Sequence, residues 1–171
     1  MAIEHALHGH LVATVFEVIL TDAGYHVIPT GIEQNIRELR PLEVDGYLAL
    51  APTRLRSVPD FFVLDLDDAW GSLTEVKFRR NMHPGLFKDL QVIQHAWAPF
   101  ILILALAEPP EEWTGEVRHI KVFEIESRTC LDEQFLRHEC QRIQDVFDRL
   151  TKRWEDKTIL KAEEAILRLS S

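Results

Sequence analysis

The chain has 171 residues, 46% of them hydrophobic, and carries a formal net charge of -9. That length suits one domain or one domain with an appendage, and that apolar content builds a core without disulfides. The acidity weighs against a free-standing nucleic-acid binder, and no apolar run is long enough to span a bilayer. Acids and histidines, not basic residues, precede the first apolar stretch. That is not the basic start of a signal peptide, and a cytoplasmic protein without a membrane partner is expected. Cys130 and Cys140 have neither CxxC nor zinc spacing and read as reduced thiols.

His5 to Thr21 predicts a first helix, with Leu7, Leu11, Val15, Val18 and Ile19 at helical spacing and Asp22-Ala23-Gly24 as its stop. His5, His8 and His10 at its start read as solvated helix surface. Tyr25 to Pro29 predicts a short strand. Asn35 to Leu42 suggests a short helix with Arg37 and Arg40 on one side, and Gly46 to Leu50 a strand or buried turn. Pro59 to Leu66 reads as a buried strand, residues 67–72 as a turn, and Leu73 to Phe78 as an antiparallel partner strand. After a loop containing His83, Leu86 to Trp97 predicts a helix with Leu86, Leu90, Ile93 and Trp97 on one face. Phe100 to Ala107 is an apolar strand ended by Pro109-Pro110, and Val117 to Ile125 a last strand. The order predicts an α/β protein with a mixed central sheet flanked by helices.

Residues 131–171 predict a helical tail beyond a core of residues 1–130. Leu136, Cys140, Ile143, Phe147, Leu150 and Trp154 alternate at four- and three-residue spacing, a coiled-coil-like seam. It can pack on the domain's own sheet or join a homodimer; the sequence leaves both open. Ala162, Ile166 and Leu169 resume the pattern in another register, which predicts a kink.

Chemistry concentrates on the two central strands. Hydrolysing a phosphodiester needs a metal held by carboxylates, an activated water and a cation near the developing charge. Glu75 and Lys77 are two apart on one strand and project together, while Val76 and Phe78 face the core. With Asp60 on the partner strand, Glu75 can hold a Mg²⁺ (or Mn²⁺), and the Val76 carbonyl is a third oxygen ligand. Lys77 would orient or help deprotonate the attacking water. Arg54, Arg56, Arg79 and Arg80 flank these strands as candidate phosphate contacts. Asp65 and Asp67 make a weaker pair for a second metal, because Asp65 falls on the strand face opposite Asp60 and is expected in solvent at the strand's end. Trp70 and Trp113 read as local packing. Residues 1–36 contain no Lys or Arg, whereas acids and bases balance over 37–88. No GxSxG, HExxH, P-loop or dinucleotide fingerprint supports another catalytic class.

Pro59-Asp60 followed by Glu75-Val76-Lys77 resembles the PD…ExK signature of the PD-(D/E)xK nuclease superfamily, and the resemblance extends over residues 5–107. It implies a restriction-endonuclease-like fold, with a helix, a Gly-aromatic turn into a strand, two motif strands, a helix and a further strand. It implies that Asp60 and Glu75 are metal ligands, that Lys77 is the catalytic lysine, and that a helix-one acid, here Glu17, assists. It also points to a polar residue on the helix after ExK, for which Gln91 and Gln94 are candidates. The expected activity is cleavage of DNA with Mg²⁺. The alternative is a catalytically silent binding or scaffolding subunit, since a fold does not guarantee activity.

Overall fold

The structure is a computed structural model that describes residues 2–31, 54, 57–150 and 157–169. The expected helix at Asn35 to Leu42, the segment Gly46 to Leu50, and Arg56 and Trp154 lie outside the described residues.

Among the described residues ten elements follow in order: α1 (Ala2–Ala23), β1 (His26–Pro29), β2 (Phe61–Asp65), β3 (Trp70–Arg79), α2 (Pro84–Trp97), β4 (Phe100–Leu106), β5 (Ile120–Ile125), α3 (Glu133–His138), α4 (Ile143–Val146) and α5 (Lys157–Leu169). The strands form one mixed sheet in the order β1-β2-β3-β4-β5, antiparallel except where β3 pairs β4 in parallel. The parallel step needs a crossover, and α2 supplies it. The chain is therefore α/β, with a five-stranded mixed sheet between helices.

Local chemistry sets the breaks. Gly24 takes a φ of 98°, and Tyr25 donates its N–H back to the Leu20 carbonyl, which closes α1. Pro84 opens α2, and His83 caps it by accepting the Gly85 N–H at 3.1 Å. His83, expected in a loop, thus has a defined capping bond.

Two apolar layers cover the sheet. Val12, Phe16, Ile19, Leu20 and Ala23 of α1 pack on Val63, Val76, Ile103 and Val122. Leu86, Leu90 and Ile93 of α2 cover the other face with Leu102, Leu104 and Phe123. Every residue of β4 is buried between them, each large side chain contributing about 1.5–3 kcal/mol relative to exposure. The expected face of α1 is corrected: Leu11 and Val18 are 45% and 53% exposed, and Val12 and Phe16 are buried instead. Apolar residues stand all around α1, so spacing alone does not choose its buried side.

Among the described residues the tail forms no continuous seam. Leu136 enters the α2-side layer, whereas Ile143, Phe147 and Leu150 enter the α1-side layer. Between them the chain turns past the edge of β5, where Val122 and Gln141 exchange two backbone hydrogen bonds of 2.9 Å. These seam residues are spent inside the fold, and Ile159, Ala162 and Ile166 of α5 join the α1-side layer. Trp113 is buried, its indole N–H donating to the Leu136 carbonyl at 2.8 Å. Among the described residues no helix is long and apolar enough to cross a membrane.

Candidate metal and phosphodiester site

Asp60 lies one residue before β2. Its backbone is fixed from β1: the Thr30 N–H donates to the Asp60 carbonyl at 2.9 Å, and the Thr30 hydroxyl donates to the carbonyl of Pro59. Phe61 pairs with Thr74 in the antiparallel register, so one step back sets Asp60 across from Glu75. The Asp60 Oδ2 accepts the Val76 N–H at 2.8 Å, spanning the gap where β2 has ended. In an extended strand one residue's N–H and C=O point the same way, so the Val76 carbonyl also faces the Asp60 side.

Glu75 and Lys77 sit opposite Leu102 and Leu104 in the parallel register and share the α2 side of the sheet. Val76 turns to the α1 side. The alternation follows from the two-residue period of a strand. Glu75 is 3% exposed and pairs with the Lys77 ammonium. Burial pushes the Glu75 carboxyl up to about 7, against the attraction of Lys77, and the Asp60 charge adds to the rise. For Lys77, burial works to lower the pKa, but attraction from Glu75 and Asp60 outweighs it and holds the ammonium above the ordinary lysine value. Arg79, next on the same face, opposes that rise. Burial disfavours the charged form of Glu75, and the Lys77 ammonium opposes it. The oxygens of Asp60, Glu75 and Val76 would suit a hard divalent ion such as Mg²⁺.

The chain matches no family model, no curated protein and no solved structure. What the site can do therefore follows from its own geometry.

The other candidates are more scattered. Glu17 is partly buried on α1, the helix over the face that Val76 points to, not the face of Glu75 and Lys77. Gln94 donates through Nε2 to the carbonyls of Glu126 and Thr129, both at 2.8 Å, and so ties α2 to the chain after β5. Gln91 is exposed and points into a cleft beside α2. Arg54 lines the same cleft, its guanidinium 5.5 Å from the Trp97 ring centre. Arg79 pairs with Asp89 at 2.9 Å and Arg80 with Glu108 at 2.7 Å.

Asp65 departs from expectation. It lies on the face opposite Asp60 as anticipated, but it is 3% exposed rather than in solvent. The Arg149 guanidinium grips it through two nitrogens, reaches Asp67 at 2.7 Å and stacks 5.8 Å from the Tyr25 ring centre. The Tyr25 hydroxyl donates to Asp148 at 3.2 Å and accepts the Arg149 N–H at 3.1 Å. Burial, with Asp148 adding, raises the Tyr25 pKa to about 12. Oxygens of Asp65, Asp68 and Asp148 lie within 4.8 Å of one another and can hold a metal ion. Arg149 already supplies Asp65 with a cation, as Lys77 does Glu75. Nothing in the local sequence marks Arg149, because its partner lies 84 residues away.

Proposed function

We propose that the chain is a metal-dependent nuclease of the PD-(D/E)xK type, hydrolysing DNA phosphodiester bonds. The observation that carries this reading is the convergence of Asp60, Glu75 and Lys77 on one sheet face, with Glu75 buried beside Lys77. The order helix, three antiparallel strands, helix, parallel strand supports it, being the order that a restriction-endonuclease-like core requires.

Asp60 and Glu75, with the Val76 carbonyl, would hold the Mg²⁺ or Mn²⁺. The ion, when bound, would lower the pKa of a coordinated water and polarise the phosphate. Lys77 is held protonated by its two acidic neighbours. With Glu75 holding an ion, the Lys77 ammonium would be free to donate hydrogen bonds to the attacking water and to a phosphate oxygen. Backbone anchoring from Thr30 and Val76 fixes the Asp60 carboxylate before substrate arrives. The free thiols of Cys130 and Cys140 suit the reducing cytoplasm.

A second reading is a silent subunit that binds through the same fold. The net charge of -9 and the pairing of Arg79 and Arg80 with acids favour it. Cleavage of plasmid, linear and branched DNA, assayed with Mg²⁺ and Mn²⁺ beside Asp60→Ala and Lys77→Ala, separates the two. Metal-dependent cutting lost in both variants is expected. A folded wild type that cuts none of these substrates overturns the nuclease reading in favour of the silent subunit.

A further inference from the structure

A pocket of about 310 Å³ opens at the outer edge of β5, beside the bridge between Val122 and Gln141. Lys121 of β5 lines one side, Thr114 and the turn ahead of β5 another, and Arg142 and Gln144 a third. Directly after Thr114, Gly115 takes a φ of 100°, a turn that glycine makes without strain. The Lys121 ammonium donates to the Thr114 carbonyl at 2.8 Å and ties that turn to the sheet.

That one bond leaves the ammonium unbalanced. Lys121 is 5% exposed, and among the described residues it has no other hydrogen bond and pairs with no carboxylate. An ammonium carries three donors, so two are open. The buried carboxylates Asp65 and Glu75, by contrast, each meet a cation, Arg149 and Lys77. A buried charge without such a partner costs stability, and an anion entering the pocket would remove that cost. Two acids lie close by, and neither fills the role. Arg142 grips Asp145 through Nε at 3.0 Å and a terminal nitrogen at 2.7 Å. That guanidinium, with a smaller pull from Lys121, holds the Asp145 carboxyl below its ordinary value. Glu116 lines the pocket but stands exposed, where water and salt screen it.

Further donors face the same space. The Val122 N–H and C=O turn outward to Gln141. Ile120, two residues earlier on the same strand, therefore turns its N–H to that edge, and it lines the pocket. Arg142 stands exposed at the rim with Gln144 beside it. Donors thus approach from two separate segments. A tetrahedral phosphate, with oxygens pointing in several directions, meets them better than a flat carboxylate does. Val117 and Ile143 add apolar wall, and the volume lies at the small end of ligand pockets.

We infer that this pocket binds the phosphate group of a small phosphomonoester, with Lys121 as its buried counter-ion and Arg142 at the rim. The site is separate from Asp60, Glu75 and Lys77. Lys77 and Lys121 both pair with Leu104 from opposite sides of β4, which sets their backbones about 10 Å apart at two strand spacings. Phosphate binding here holds whether or not the chain cuts DNA.

Backbone amide NMR of the full chain in EDTA reads both the binding and its place. The probes are inorganic phosphate, phenyl phosphate and benzoate at constant ionic strength. Saturable shifts are expected at residues 114–121 and 141–144, with a Kd of about 1 mM or tighter for phenyl phosphate and at least about tenfold weaker for benzoate. Lys121→Met keeps the apolar stem and removes the charge, and it should weaken phenyl phosphate about tenfold or more. Arg142→Gln, on an exposed side chain, should weaken it about threefold and decides the matter if Lys121→Met does not fold. Benzoate binding as tight as phenyl phosphate, shifts unchanged in the folded variants, or shifts centred on residues 75–77 overturn the assignment. Shifts that never saturate and spread over the surface mean an adventitious ion only, and overturn it as well.

Discussion

Arg149 and Asp65 meet in a two-point ion pair across 84 residues of sequence, where the C-terminal segment crosses the β2–β3 turn. The guanidinium holds the Asp65 carboxyl down at about 2, from an ordinary value of 3.8. Because the folded pKa is the lower one, the pair's contribution is present above about pH 4 and is lost as pH falls toward 2. Arg149→Met and Asp65→Asn should each lower Tm by several degrees and flatten the acid limb of the stability curve. The double variant should lose less than the two singles together, because each single strands a charge of the pair and the double removes both. Thermal melts from about pH 5 to 2 check this.

Glu75 titrates with the opposite sign. Its folded pKa, about 7, lies above the ordinary 4.5, so the folded chain holds the extra proton. Stability should fall as pH rises from about 4.5 through 7 and level off above, by a total on the order of 3 kcal/mol. Urea unfolding in EDTA across that range measures the slope. In Glu75→Gln that slope should vanish, whatever the variant's absolute stability; a slope that persists would assign it to another group.

Thr74 offers a stabilising change. Its Oγ1 is buried and, among the described residues, has no hydrogen-bond partner. The side chain faces Phe61 and Ile101 on the α1 side, away from Glu75. Thr74→Val replaces that hydroxyl with a methyl of nearly the same shape and should gain about 1 kcal/mol in urea unfolding, with no change in metal binding.

Phe147 is fully buried, edge-on to Tyr25 at 5.6 Å and to Trp70 at 6.0 Å between ring centres. Phe147→Ala should cost about 3–5 kcal/mol. Leu11→Ser, on the exposed side of α1, should stay within about 0.5 kcal/mol. If the two cost the same, the placement of the tail or of α1 is wrong.

The sheet is readable in the sequence because its strands are short, apolar and punctuated. Phe100 to Leu106 is buried along its whole length, and Gly24 and Pro109 mark breaks by residue type. Asp60, Glu75 and Lys77 are readable because the two-residue period fixes which side chains share a face. The buried side of α1 is not, since Leu11 and Val12 are equally apolar and only the packed partner distinguishes them. The tail misleads for a related reason. Leu136 and Phe147 keep heptad spacing, yet the chain bends at Gln141 to complete its bridge to Val122, and the two residues end on different faces. Asp65 looks like a solvated strand end because the residue that buries it, Arg149, is distant in sequence.

The α1-side layer joins Val12 to Ile166. That face of the sheet therefore cannot close while the chain is still short. A nascent chain in which β1 to β5 have already emerged still lacks Ile143, Phe147, Leu150 and Ile159, and it presents Val63, Ile103 and Val122 incompletely covered. Folding must wait for contacts between the most widely separated parts of the sequence, the kind that slows the search for the native state. During synthesis the exposed face is a surface for chaperones or for aggregation. A chain cut back to the α/β core would be held in that half-covered condition permanently.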